Sequence, residues 1–112
     1  MKDLVLEVAD FLELKKAGGV TVINVGQKSS IADYFIIADG DVQLQLESLS
    51  AQVSKHLSQK GFKPRNSRRQ AIGGWALLDY SDFVIHLFLK ETREFYKLER
   101  IWGECEFVRP AG

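Results

Sequence analysis

The stretch that decides the fold is WALLDYSDFVIHLFLKETREFYKLERIW, from Trp75 to Trp102. It opens with two apolar runs, Trp75 to Leu78 and Phe83 to Leu89, which are separated by the polar segment Asp79 to Asp82. Apolar runs of strand length around a short polar segment are typical of a β-hairpin. We therefore predict two antiparallel strands here.

A two-residue loop of Tyr80 and Ser81 places Trp75 opposite His86, and facing residues of an antiparallel pair share one side of the sheet. One side of the predicted hairpin then carries ordinary core residues. The other side mixes aromatic, aliphatic and acidic residues, namely Trp75, Leu77, Asp79, Asp82, Val84, His86 and Phe88.

After Lys90 the apolar period changes to that of a helix. Apolar residues then recur at helical spacing, at Phe95, Leu98, Ile101 and Trp102. Thr92 suits the N-cap of this helix and Gly103 suits its end. We predict one short helix that brings Tyr96 and Glu99 beside the hairpin.

The remaining elements follow from the same periodicities. They are a helix from Lys2 to Ala17, strands at Val20 to Val25 and Tyr34 to Ala38, and a helix from Val42 to Lys60. Asp41 is placed to cap the second of these helices, and Phe107 and Val108 are candidates for an edge strand. The order α-β-β-α-β-β-α predicts an α/β (α+β) fold with helices packed on a mixed sheet.

Length and composition describe one domain, residues 1–112. Hydrophobic residues make up 46% and charged residues 27% of the chain, which are ordinary globular values. Fifteen basic residues balance 15 acidic ones, so net charge gives no general affinity for nucleic acid. The single cysteine, Cys105, excludes an internal disulfide and favours a reducing compartment. With no apolar run of membrane-spanning length and an acidic start, we expect a cytoplasmic protein.

Two sets of residues raise the question of catalysis. Asp39 and Asp41 form a D-x-D pair of the kind that holds Mg²⁺ in nucleotidyltransferases, but the pair equally suits a turn and a helix N-cap. Asp79, Asp82 and His86 share one face, but nothing supplies an activated nucleophile, and a cross-strand His–Trp contact beside hairpin-end carboxylates explains them structurally. We therefore predict no catalytic, metal or cofactor site.

A basic cluster precedes the hairpin and consists of Lys60, Lys63, Arg65, Arg68 and Arg69. It suits contact with RNA phosphates, and it also suits a solvated loop, which is the commoner case. No aromatic ladder accompanies the cluster, so we predict at most a peripheral phosphate contact by Lys63, Arg65, Arg68 and Arg69.

The mixed side of the hairpin and the following helix have the composition of a protein-binding surface, with aromatic anchors inside an acidic rim. The alternative is that one of the two long helices covers this side, since a sheet offers only two faces. A surface of this kind also predicts a weak homodimer. The predicted partner-binding residues are Trp75, Leu77, Asp79, Tyr80, Asp82, His86, Tyr96, Glu99 and Trp102.

Three segments carry a resemblance to a known family. The run W-x-L-L-D-Y-x-D-x-V-x-H-x-F from Trp75 and the run E-x-R-E-F-Y-x-L-E-R-x-W-G from Glu91 resemble the ribosomal silencing factor family, also called Iojap-like. The segment from Ser30 to Ala38 is similar to that family's S-x-x-A-D-Y-F-V-I-A segment. With the helix between them, the similarity covers nearly the whole chain.

The resemblance implies a nucleotidyltransferase-like fold without enzymatic activity. It further implies a translational repressor that binds the large ribosomal subunit through ribosomal protein uL14 and sterically blocks joining of the small subunit. The phosphates met by the basic cluster would then be those of rRNA. The alternative function is a small nucleotidyltransferase-like, Mg²⁺-dependent enzyme, which a nucleotide titration separates from a binding protein.

The chain departs from the family pattern at two places. Asp41-Val42-Gln43-Leu44 replaces a polar stretch that ends in Arg-His, which puts any contact made by those cations in doubt. Ser81 stands where the family has Gly. Because a tight loop with positive φ strains Ser, we expect a longer turn or one of another type.

Overall fold

The computed structural model describes residues 1–65 and 73–110. The helices are α1 (Lys2–Leu14), α2 (Gln43–Gln59), α3 (Lys90–Tyr96) and α4 (Leu98–Ile101). The strands are β1 (Gly18–Asn24), β2 (Tyr34–Gly40), β3 (Trp75–Asp79), β4 (Phe83–Leu89) and β5 (Glu106–Arg109). The predicted order is confirmed as far as β4, and two short helices with a last strand follow it.

The five strands form one mixed sheet in the order β3-β4-β2-β1-β5. Strands β2 and β4 are parallel, and every other neighbouring pair is antiparallel. The predicted edge strand is confirmed as β5, which pairs with β1. The predicted fold class, a mixed sheet with helices packed on it, is therefore confirmed.

Both long helices pack on the same face of the sheet. Apolar residues at helical spacing, such as Val5 and Leu12 of α1 and Leu46 and Val53 of α2, are fully buried there. A five-stranded sheet is roughly 20 Å wide, and packed helices lie about 10 Å apart, so one face has room for both. This side holds the larger of two hydrophobic clusters.

The opposite face of the sheet, which we call the open face, carries the second hydrophobic cluster. The alternative that α1 or α2 covers it is wrong, because both helices use the other side. Among the described residues, partly buried side chains of β3, of α4 and of the segment that follows α4 pack against it. Its buried apolar residues are Ile23, Val25, Ala32, Phe35, Ile37, Val84 and Phe88, and partly buried around them are Trp75, Leu98, Trp102, Cys105 and Phe107.

The register of the hairpin differs from the predicted one by two residues. Trp75 lies opposite Phe88, and Leu77 lies opposite His86. Successive side chains of a strand point to opposite faces, so a shift of two residues leaves each side chain on its predicted face. The predicted partners were therefore wrong, whereas the predicted division of side chains between the two faces is correct for β3 and β4.

The turn explains this shift. The Tyr80 N–H donates to the Phe83 carbonyl oxygen at 2.9 Å, so the loop residues are Ser81 and Asp82. Ser81 adopts a φ of 74°, and its N–H donates to the Asp79 carboxylate at 2.8 Å. Of the two expected alternatives, the longer turn is wrong, because the loop has two residues. Ser81 accepts the left-handed conformation, and the Asp79 carboxylate stabilises it.

Replacing Ser81 by Gly is expected to stabilise the fold. A left-handed conformation costs a residue with a Cβ about 1 kcal/mol, and Gly adopts it freely, so the free energy of unfolding should rise by about 0.5–1 kcal/mol. Urea unfolding measures the change. The control is Ser30→Gly at an exposed position without positive φ, where Gly should lower stability. Equal effects of the two substitutions would show that Ser81 is not strained.

The predicted single C-terminal helix is instead broken into α3 and α4. Lys97 lies between them in the left-handed conformation, with φ 49° and ψ 50°, and α3 begins at Lys90 without a cap from Thr92. Phe95 is 80% exposed and Ile101 is 69% exposed. The prediction that these two share one buried stripe with Leu98 and Trp102 was therefore wrong.

Candidate docking site

An aromatic cluster occupies the β3–β4 end of the open face. The Trp75 ring lies 4.8 Å from that of Phe88 and 5.1 Å from that of Tyr96, measured between centroids. The Trp75 Nε1–H donates to Nδ1 of His86 at 3.2 Å. The predicted His–Trp contact is thus confirmed, although the two residues are diagonal rather than directly opposite.

A second group of rings joins this cluster to α4. The Phe35 ring lies 4.7 Å from the His86 ring and 5.3 Å from the Trp102 ring, edge-on in both cases. Aromatic rings packed in this way form a rigid platform, because edge-on contacts favour one relative orientation. Trp102 therefore fixes the C-terminal segment against β2.

Three large apolar side chains beside this cluster reach solvent. Leu77 on β3 is 37% exposed and Tyr96 on α3 is 50% exposed. Phe95 belongs with them, because its ring lies 5.1 Å from that of Tyr96. Apolar side chains grouped beside a rigid aromatic platform are typical of the centre of a protein-binding site.

The structure brings most of the predicted partner-binding residues together. Tyr80 is the exception, since it is buried in the helix-side core with its ring stacked 5.1 Å from that of Phe83. His86 is present but buried, so it supports the surface from beneath. The predicted residues that share the open face or its margin are Trp75, Leu77, Asp79, Asp82, His86, Tyr96, Glu99 and Trp102.

Glu99 is not the freely exposed rim residue that the sequence predicted. Its two carboxylate oxygens accept hydrogen bonds from Nε and Nη2 of Arg93 at 3.2 and 3.1 Å. Arg93 also donates to Asp39 Oδ2 at 2.8 Å and to Thr21 Oγ1 at 3.1 Å. The sequence does not reveal this network, because Arg93 occupies a helix position that its charge assigns to solvent.

Both carboxylates of the D-x-D pair form ion pairs with basic side chains of this protein. Asp39 forms a buried ion pair with Arg93, and Asp41 forms an exposed one with Lys90 at 2.9 Å. Asp41 does not cap α2, whose N-cap is Val42. Within residues 1–65 and 73–110, no group of three or more His, Cys, Asp or Glu side chains is arranged to hold a metal ion.

The basic cluster is only partly described. Lys60 pairs with Glu7 at 3.1 Å, whereas the side chains of Lys63 and Arg65 are exposed. Arg68 and Arg69 lie outside the described residues.

None of the helices in the described ranges combines the length and apolarity needed to cross a membrane.

His86 makes stability depend on pH. Burial lowers the pKa of His86 from 6.5 to about 4, and the smaller effect of the nearby Asp79 carboxylate opposes this. Between these two pKa values the unfolded chain binds the proton that the folded protein excludes. The contribution of neutral His86 to the free energy of unfolding is therefore fully present above pH 6.5 and is lost as the pH falls towards 4. At about 1.4 kcal/mol per pKa unit, this loss amounts to about 3 kcal/mol.

Urea unfolding between pH 4.5 and 7.5 measures this dependence. His86→Gln cannot titrate and should flatten the slope, at the cost of some stability at neutral pH. His56→Gln is the comparison, because His56 is a partly buried histidine on the helix side of the sheet, stacked on Phe11 and paired with Glu7 of α1 at 2.7 Å. A slope that survives His86→Gln would assign the dependence to other groups.

The fold and this site define a class of protein: a small α+β domain with both long helices on one sheet face and exposed apolar residues beside the other. A sequence profile described as "Ribosomal silencing factor during starvation" matches residues 1–111. The chain belongs to the ribosomal silencing factor family, so the resemblance found in the sequence is confirmed. Family membership gives it a ribosome-associated role in regulating translation, and its relatives are named as regulatory factors rather than enzymes.

Individual relatives agree with this assignment. A protein named ribosomal silencing factor from Halalkalibacterium halodurans is 32% identical over 88% of this chain and 84% of its own length. The mouse protein named "Mitochondrial assembly of ribosomal large subunit protein 1" is 30% identical over 85% of this chain but only 43% of its own length. A crystal structure of a Chromobacterium violaceum protein superposes with a TM-score of 0.82 at 26% identity, covering 98% of this chain and 94% of that one.

Proposed function

We propose that this protein binds the large ribosomal subunit through ribosomal protein uL14 and sterically blocks joining of the small subunit. The observation that carries the proposal is the open face, an aromatic platform that neither α1 nor α2 covers. The name of the mouse relative, which refers to assembly of the large subunit, supports the choice of subunit. The protein would act in the cytoplasm as a translational repressor.

The proposed contacts divide into three groups. Leu77 and Tyr96 touch the partner directly, because their side chains are exposed at the edge of the platform. Trp75, His86 and Trp102 support them from within the aromatic cluster. Asp79 and the exposed Asp82 lie at the margin, where they suit basic side chains of the partner.

The basic segment lies near one end of this surface. The Arg65 N–H donates to the Asp79 carbonyl oxygen at 2.6 Å, which places Arg65 beside the last residue of β3. A protein docked through the open face would thus hold Lys63 and Arg65 close to the partner, where they would meet rRNA phosphates. Arg68 and Arg69 follow them in the sequence and are proposed for the same peripheral role.

The proposed mechanism needs no chemistry, and the contacts of the D-x-D pair support this. Both carboxylates are engaged by Arg93 and Lys90, so a metal ion would have to displace these cations.

Exposed apolar side chains at the open face also favour a weak homodimer in the free protein. Such a dimer would compete with the ribosome for the open face.

Mixing the protein with separated subunits and scoring joined ribosomes on a gradient tests the proposal. A steric blocker follows simple mass action, so inhibition should saturate at about one protein per large subunit. Ribosomes joined beforehand should resist, because the docking surface is then covered. Inhibition at far fewer copies than subunits would mean turnover, and would replace the steric mechanism by an enzymatic one.

A further inference from the structure

Arg93 joins three separate parts of the fold. Its guanidinium donates to Thr21 on β1, to Asp39 on β2 and, through two nitrogens, to Glu99 on α4. The residue is only 9% exposed, so these bonds form away from water. A planar guanidinium presents several donors in a rigid fork, which a lysine ammonium cannot reproduce.

The start of β1 leaves room for this guanidinium. A Cβ placed on Gly19 would lie 2.6 Å from Arg93 Nη1, and one placed on Gly18 would lie 2.3 Å from Asp39 Oδ1. Gly18 and Gly19 are the first two residues of β1. Their lack of side chains also allows the Arg93–Asp39 pair to lie against the backbone of β1.

The two helices held by Arg93 are short. Helix α3 has seven residues and α4 has four, and isolated helices of this length do not persist in water. Lys97 interrupts them, while Phe95 and Ile101 point to solvent. Beside the packing of Leu98 and Trp102, the fork between Arg93 and Glu99 joins α3 to α4 across this break.

We propose that Arg93 is a positioning residue for docking: it orders α3 and α4, and so presents Tyr96 and Trp102 on the open face without touching the partner. Tyr96 follows Arg93 on α3, and Trp102 ends α4 just beyond Glu99. This inference rests on the proposed docking function. It adds that the binding-competent arrangement is set by a buried ion network on the β1–β2 side of the surface.

The test compares substitutions that weaken the network with one that weakens the fold elsewhere. Arg93→Lys retains the charge and loses the fork, and Glu99→Gln is a milder change that retains the side-chain shape. Val53→Ala is the control for stability, because Val53 is fully buried on α2 in the helix-side core. For each protein, large-subunit binding, melting temperature and hydrogen exchange of residues 90–102 are measured.

A binding site that is ordered only part of the time loses apparent affinity in proportion to its competent fraction. We expect Arg93→Lys to speed exchange in residues 90–102 and to weaken binding by about 10-fold or more, with a smaller loss for Glu99→Gln. Val53→Ala should leave the exchange of residues 90–102 and the affinity for the large subunit nearly unchanged, even where its melting temperature is comparable to that of Arg93→Lys.

The outcomes separate this inference from the proposed function. If Arg93→Lys speeds exchange but binds normally, or if it loses no more affinity than Val53→Ala, the positioning role is overturned while the proposed function stands. If the unaltered protein does not bind the large subunit, both are overturned. If Arg93→Lys does not fold, the same comparisons are made with Glu99→Gln.

Discussion

Replacing Leu77 by Asp is expected to abolish most of the affinity for the large subunit. Leu77 is the exposed aliphatic residue of β3 beside the aromatic platform, and docking would remove it from water. Loss of a central apolar contact typically costs about 2 kcal/mol or more, and a buried unpaired carboxylate adds to this cost. We expect binding to weaken by at least about 30-fold.

Leu44→Asp is the matched control, because Leu44 is 74% exposed at the start of α2, which packs on the other sheet face. It introduces the same charge in place of the same side chain and should leave binding unchanged. Sedimentation with isolated large subunits measures both variants. Equal binding by the Leu77 and Leu44 variants, with both folded, would mean that the open face is not the docking surface.

The second large effect concerns stability. Arg93→Met is expected to lower the free energy of unfolding by about 3–5 kcal/mol, because it leaves Asp39 buried without its cation. Asp39 is 8% exposed, and its Oδ1 has no hydrogen-bond partner among the described residues, so it has little other compensation. Urea unfolding at neutral pH gives the value.

The double variant Asp39→Asn/Arg93→Met separates a lost charge pair from lost packing. Removing both charges should recover part of the stability, because Asp39 is then no longer buried as an ionised group. Glu99 also loses Arg93 in this variant, but its side chain is 30% exposed and stays in contact with water. Arg100→Met is the control for removing an exposed arginine from α4 and should change stability by less than about 0.5 kcal/mol. A double variant less stable than Arg93→Met would indicate that packing, not charge, dominates.

The division of the hairpin into two faces was predictable, and its register was not. Alternation reports which side of a strand is buried, so Trp75, Leu77 and His86 were assigned to the correct face. A shift of two residues leaves that alternation unchanged, so the pattern cannot distinguish the two registers. The choice depends on the turn, where Ser81 takes a conformation that its residue type disfavours.

The sequence also could not show what occupies each sheet face. Periodicity identifies the apolar stripe of a helix but not the sheet face that receives it, so the placement of α1 and α2 together was unforeseen. Arg93 was missed for a related reason. Its partner Asp39 is 54 positions away, and a single arginine in a charged segment carries no sign of burial.

The topology of the sheet has a consequence for biosynthesis. Strand β2 pairs with β4, where Tyr34 lies beside Phe83, and β1 pairs with β5, where Ile23 lies opposite Phe107. In both pairs the partner strand is synthesised later. At about 5–20 residues per second, the β1–β2 pair leaves the ribosome seconds before its neighbours and meanwhile has both edges unpaired. A nascent chain therefore lacks the finished sheet until nearly all of these residues have emerged.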